Sequence, residues 1–209
     1  MYLKMCAEND PANLDPTPAE MAAARAAAEL ARANGSGPDH CHIEVRGEFN
    51  REKYYILKGQ LDAAPFARKL TLHIDCNGGE AMAVFDAYVI LRRHPAEEKT
   101  TVVIGRAESG GLVVAMAGDR RIVHRHSRIL LHPSTAANPC DGTLTAARLE
   151  ELAAMCRDVD RDIIRLIVAR TGADPEVIAA EASNEIHSSL DWCRRVGLVH
   201  EIIEMEEAA

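Results

Sequence analysis

Aromatic residues are scarce: one Trp, four Tyr and three Phe, 4% of a 209-residue chain. That scarcity removes one common pointer to a recognition groove. No apolar run approaches the ~18 residues that a membrane span needs. The opening stretch, "MYLKMCAENDP", lacks the apolar core of a secretory signal, so the chain is expected to stay in the cytoplasm and off the membrane. Positive charge is in deficit, with 24 Lys and Arg against 32 Asp and Glu and a formal net charge of -8. A phosphate backbone or an anionic surface would be repelled overall, and nucleic acid is not an expected partner.

Cys-x-x-C spacing is missing as well. Six cysteines, Cys6, Cys41, Cys76, Cys140, Cys156 and Cys193, are scattered along a chain too large to need disulfide staples, and they read as reduced thiols. Nine histidines include "HCH" (His40, Cys41, His42) and "HRH" (His124, Arg125, His126). Neither has a second ligand pair at a recognisable spacing, so surface or strand histidine is the preferred reading, and no metal or other cofactor is expected.

What is present is an ordinary globular balance, 47% hydrophobic and 27% charged. Residues 1 to 38 stand apart as an N-terminal extension, and 39 to 209 read as one domain. In the extension, Thr17, Pro18 and Glu20 form a capping box before an Ala-rich helix. Asn34-Gly35 marks its stop and "NGSGP" its linker. The helix is an arm that packs on the body or on a neighbouring subunit.

From residue 40 strands and helices take turns. "CHIEVRG" reads as a strand, "REKYYILKGQLDAA" as a helix, "KLTLHID" as a strand with Leu70, Leu72 and Ile74 on one face, and "AMAVFDAYVILRRH" as a helix. "TTVVIG" is a buried strand, "GGLVVAMAG" a short helix, and "RRIVH" and "SRILLH" are strands. Such alternation predicts βαβ units, a largely parallel sheet with helices on its faces, and a site at the carboxyl ends of the strands. From about Thr143 to Arg170 a helix of roughly 27 residues carries a seam of Leu149, Leu152, Cys156, Val159, Ile163 and Leu166, and would span about 40 Å. The seam serves either the core or a partner. "DPEVIAA" opens a helix capped by Asp174, "SSLDWCRRVG" one with Ser188 and Asp191 as a capping box, and "LVHEII" is a closing strand.

Chemistry gathers around "GRAESGGLVVAMAGD". Ala107 and Gly111 flank Ser109 as in the small-x-S-x-G elbow, where a strand turns into a helix. A serine needs a base and a stabilised oxyanion. The Gly110 amide opens the helix, and Gly78 and Gly79 of "CNGGEA" end the neighbouring strand, which offers an oxyanion hole. His132 ends "SRILLH" before Pro133 and is the candidate base, and Glu185 in "ASNEIHSS" the candidate orienting acid.

Those residues resemble the proteolytic subunit of the Clp protease, a serine peptidase of the ClpP/crotonase superfamily. "LTLHIDCNGGEAMAVFDAYVIL", "GRAESGGLVVAMAG", "SRILLHP" and "ARTGADPEVIAAEASNEIHSSLDWCRRVGLVHEI" carry the resemblance, from about His42 to Ile203. It implies an α/β fold of repeated ββα/βαβ units with a long projecting handle helix, and a Ser109, His132, Glu185 triad. It also implies a peptide or unfolded protein substrate and a homo-oligomer of stacked rings. The turn reads Cys-Asn-Gly-Gly where the family has Ser-Pro-Gly-Gly, and Glu185 is one methylene longer than the usual aspartate. Residues 1 to 38 replace the loops with which that family engages a partner ATPase, so a peptidase acting alone fits equally well. The alternatives are a non-catalytic scaffold of the same fold and a crotonase-like acyl-CoA enzyme.

Overall fold

Six strands, all paired in parallel, form one sheet in the computed structural model, which describes residues 14–33, 37–137 and 142–204. They are β1 (His40–Arg46), β2 (Lys69–Cys76), β3 (Glu98–Glu108), β4 (Arg120–His124), β5 (Arg128–Leu130) and β6 (Glu201–Ile203). The order is β1-β2-β3-β4-β6, with β5 pairing β3 beyond the end of β4. The helices are α1 (Pro18–Ala33), α2 (Arg51–Ala63), α3 (Ala81–Arg93), α4 (Gly110–Ala115), α5 (Ala146–Thr171), α6 (Pro175–Ser183) and α7 (Leu190–Arg195). The architecture is the mixed α/β one that the sequence pattern predicts.

Alternation along β1 and β2 decides which face is covered. Cys41, Ile43 and Val45 lie in register with Leu70, Leu72 and Ile74, and all six are buried in the core with Tyr88 and Leu91 of α3 and Leu57 and Leu61 of α2. Their neighbours His40, His42, Glu44 and Arg46 are exposed, and Thr71, His73 and Asp75 half-buried. Over β1 and β2 the sheet thus leaves one face open, whereas β3 and β4 bury consecutive residues, Val102 and Val103 and then Ile122 and Val123, on both faces. Period-two patterning marks the half-covered pair, and the near-continuous apolar runs of β3 and β4 mark strands covered on both faces.

Several boundaries move. The strand expected at "TTVVIG" extends over 98–108, and the one expected to end at His132 stops at Leu130. The cap of α7 is Ser189, which accepts from the Trp192 N–H, because the Ser188 N–H is committed to the Ile129 carbonyl at 2.9 Å. Thr17 and Glu20 do form the reciprocal box at α1, the Thr17 N–H reaching Glu20 Oε2 at 2.7 Å and the Glu20 N–H reaching Thr17 Oγ1 at 3.2 Å. Asn34 and Gly35, most of the linker, Cys6 and Cys140 lie outside the described residues. The other four cysteines are free thiols, and burial pushes Cys193 up to about 12. No helix among the described residues is long and apolar enough to cross a membrane.

The extension is fastened to the body by charge. Asp15 accepts from the Tyr88 hydroxyl at 2.6 Å and from Arg92 Nε at 3.0 Å, and pairs with Arg170 at 3.5 Å. Asp119 joins Arg92 and Arg170 from the other side. Beside them Arg121, 4% exposed, donates to the carbonyls of Gly118, Leu198 and Gly197 at 2.9, 2.9 and 2.7 Å. Burial first, then Arg170, draws its pKa down to about 10.

Asp15 and the buried Lys99 lend themselves to stability measurements. Asp15→Ala strips Tyr88 and Arg92 of their acceptor and lowers unfolding free energy by about 2 kcal/mol, read from the urea midpoint. Lys99 is buried, forms no ion pair among the described residues and donates only to Ala96 O at 3.3 Å. Burial lowers its pKa from 10.5 to about 8. Between those values the unfolded chain holds a proton that the fold lacks, so stability rises with pH across that window. Below it the full penalty, about 3 kcal/mol, stands. Lys99→Met is expected to raise stability at pH 7 and to flatten that rise in paired urea titrations at pH 7.5 and 10.

Candidate active site

Three strand ends meet at one crevice because β3 changes partner along its length. Thr100 to Val103 pair with β4, whereas Arg106, Ala107 and Glu108 pair with Arg128, Ile129 and Leu130 of β5. On the other side β2 shifts register between Ile74 and Cys76. Asp75 secures the shift, its Oδ1 accepting from both the backbone N–H and Nε of Arg106 at 3.1 Å. The carboxyl ends of β2, β3 and β5 are thereby set side by side.

From β2 the chain enters the glycine turn. The Phe49 N–H donates to Gly78 O at 2.6 Å and the Glu80 N–H to Phe49 O at 2.8 Å, which folds the turn onto residue 49. A Cβ on Gly79, at φ 145, would stand 1.9 Å from Phe49 O, so only glycine fits. A Cβ on Gly78, at φ 102, would stand 2.8 Å from the Cβ of Ser109. The turn therefore lies directly against the serine.

Ser109 lies between the end of β3 and the first residue of α4. Its N–H donates to Leu130 O at 2.9 Å, and its φ of 51 and ψ of -123 bend the chain sharply into the helix. The hydroxyl makes no cap and no hydrogen bond among the described residues. Gly110 and Gly111 are buried behind it, because added Cβ atoms would meet Val84 Cγ2 at 2.7 Å and Cys76 O at 2.5 Å. Ser109 and Glu185 are the two non-glycine residues at positive φ among the described residues. Such strain, about 1–3 kcal/mol each, gathers at functional sites.

His132, two residues past β5, shares a cleft with Ser109. Leu112, Leu131, Ile163 and Ile164 give it apolar walls, and Asp160 is a polar exception. The Nδ1 of His132 lies 2.8 Å from Pro133 O, and Ser134 N–H donates to Asp160 Oδ1 at 2.6 Å. A carbonyl can only accept, so Nδ1 carries a proton, and in the neutral ring the lone pair is on Nε2. Glu185 is not brought to the ring: it is exposed, with no hydrogen bond or ion pair among the described residues. The loop around it is stitched down nearby, by His187 Nε2 to Glu108 Oε1 at 3.0 Å and by Ser188 to Ile129. Sequence reasoning missed Asp160; its one visible signal is a carboxylate one turn before the apolar pair Ile163 and Ile164. Among the described residues no three of His, Cys, Asp and Glu converge as a metal ion requires.

A parallel α/β sheet with a serine at a strained strand-to-helix turn, a facing glycine pair and a histidine in the same cleft defines a class of hydrolase-like sites. Comparison with family models matches residues 42–206 to the Clp protease family, and the chain belongs to it. It is a ClpP-like protease by that membership. Among solved structures, ClpP1 from Listeria monocytogenes is 22% identical, with a TM-score of 0.61 over 79% of this chain and 92% of that one. A point mutant of ClpP1 from the same organism is 21% identical, with a TM-score of 0.68 over 78% and 91%. These share the fold. No curated protein matches the chain.

Packing behind the serine gives a direct check. Gly110→Ala forces its methyl onto Val84, a stiff β-branched side chain, and is expected to cost about 1–3 kcal/mol in urea unfolding. Adding Val84→Ala opens that space, so the double variant should lose less than the sum of the singles.

Proposed function

We propose that the chain is a serine endopeptidase that cleaves peptides or unfolded proteins through an acyl-enzyme on Ser109, acting as a ring-type homo-oligomer in the cytoplasm. The carrying observation is the cleft that Ser109 and His132 share, with the serine hydroxyl unbonded and His132 Nδ1 held by Pro133 O. Oγ of Ser109 attacks the scissile carbonyl carbon as its proton passes to Nε2. The developing oxyanion is met by the amides of Gly110 and the Gly78-Gly79 turn. The leaving amine takes the proton from His132, and water then hydrolyses the ester through the same base. The resemblance assigns the orienting acid to Glu185. Apolar walls favour an apolar substrate side chain beside the scissile bond.

The ring reading draws on α5. Its C-terminal turns bury Leu166 and Ile167 in the core, but Leu149 is 54% and Met155 38% exposed along the N-terminal half. The helix is about 39 Å long, and its buried residues, Asp162, Leu166 and Ile167, all lie in its C-terminal half. A neighbouring copy would cover those side chains.

A second reading, a scaffold of the same fold without activity, is favoured by the solvent-facing position of Glu185. Intact mass after fluorophosphonate treatment separates the two. One adduct on the wild type, absent from Ser109→Ala and His132→Ala, supports the peptidase. No adduct on the folded, assembled protein gives the scaffold reading the lead.

A further inference from the structure

The imidazole of His132 and the carboxylate of Asp160 hold opposite ends of one peptide unit. Nδ1–H of His132 donates to Pro133 O at 2.8 Å, and the N–H of the same Pro133–Ser134 peptide bond donates to Asp160 Oδ1 at 2.6 Å. A trans peptide is planar, with its C=O and N–H pointing in opposite directions. A bond at the N–H therefore fixes where the C=O points. We propose that Asp160 is a positioning residue: by anchoring this peptide plane it makes the Pro133 carbonyl perform for His132 the orienting task of a triad carboxylate. The proposal rests on the serine-peptidase reading above.

Three physical features carry it. The bond to Asp160 is charge-assisted and short, so it is the stronger of the two and sets the plane. Negative charge on the N–H side polarises the carbonyl, since chained hydrogen bonds reinforce one another, and this strengthens its hold on an imidazole gaining a proton. Pro133 fixes its own φ, which removes a torsion that would otherwise let the ring and the carbonyl drift apart. Asp160 comes from the middle of α5, 26 residues away in sequence, and lines the cleft beside Ser109 and His132. The arrangement ties the base of the site to the long helix.

The test is the rate of fluorophosphonate labelling of the full chain as a function of probe concentration, which separates the limiting rate from half-saturation. Asp160→Ala should lower the limiting rate about 10²-fold with little change in half-saturation. Asp160→Asn keeps an oxygen acceptor for the Ser134 N–H and should remain within about fivefold of wild type. Ser134→Pro removes the donor while leaving Asp160 in place. It should match Asp160→Ala, and the double variant should lose no more than either single. Thermal melts of each variant separate a loss of fold from a loss of rate. Wild-type limiting rates in a folded Asp160→Ala or Ser134→Pro chain, or an Asp160→Asn chain as slow as Asp160→Ala, overturn the proposal while leaving the peptidase reading intact. Absence of wild-type labelling removes that reading and this proposal with it.

Discussion

Strand β3 cannot satisfy its backbone with a single neighbour, and the site follows from that constraint. Its eleven residues outrun the five of β4, so its last three pair with a separate short strand, β5. Each buried N–H and C=O needs a partner. Supplying them at the end of β3 brings in the segment that carries His132. The same pairing aims the Ser109 N–H at Leu130 O and sets the serine between β5 and the glycine turn of β2. Serine, histidine and glycines are neighbours because one long strand had to be completed.

Behind that arrangement, apolar burial and polar clamps divide the labour. The side chains of β1 and β2 that face α2 and α3 supply the non-directional part, about 1.5–3 kcal/mol for each large side chain fully removed from water. Directional control comes from groups such as Asp75, which fixes the register beside the site, and Asp15, Asp119 and the arginines, which gather the ends of α3 and α5 with the extension. An excess of guanidinium over carboxylate in that cluster is tolerated because Arg121 is satisfied by backbone carbonyls.

Local pattern was readable from the sequence and long-range pairing was not. The capping box at Thr17, the alternation of Leu70, Leu72 and Ile74 and the glycines beside Ser109 are signals written within a few residues, and each fixes a local conformation. The spacing to Asp191 points to Ser188 as the cap, but the Ser188 N–H bonds Ile129 of another element and Ser189 takes the cap position. Likewise Asp15 and Tyr88 are 73 residues apart, and Asp160 meets a backbone amide that no side-chain pattern could mark. Glu185 shows the same limit from the other direction: motif position assigns it a role, whereas the stitched loop holds it toward solvent.

The backbone at Ser109 has an evolutionary reading as well. Left-handed torsion is free for glycine and costly for serine, and the chain places glycine at the next two positions and at both residues of the facing turn. A turn selected for folding alone would relax by accepting a third consecutive glycine. On the serine-peptidase reading proposed above, the hydroxyl stands where the fold gains nothing from it, and the position trades stability for activity.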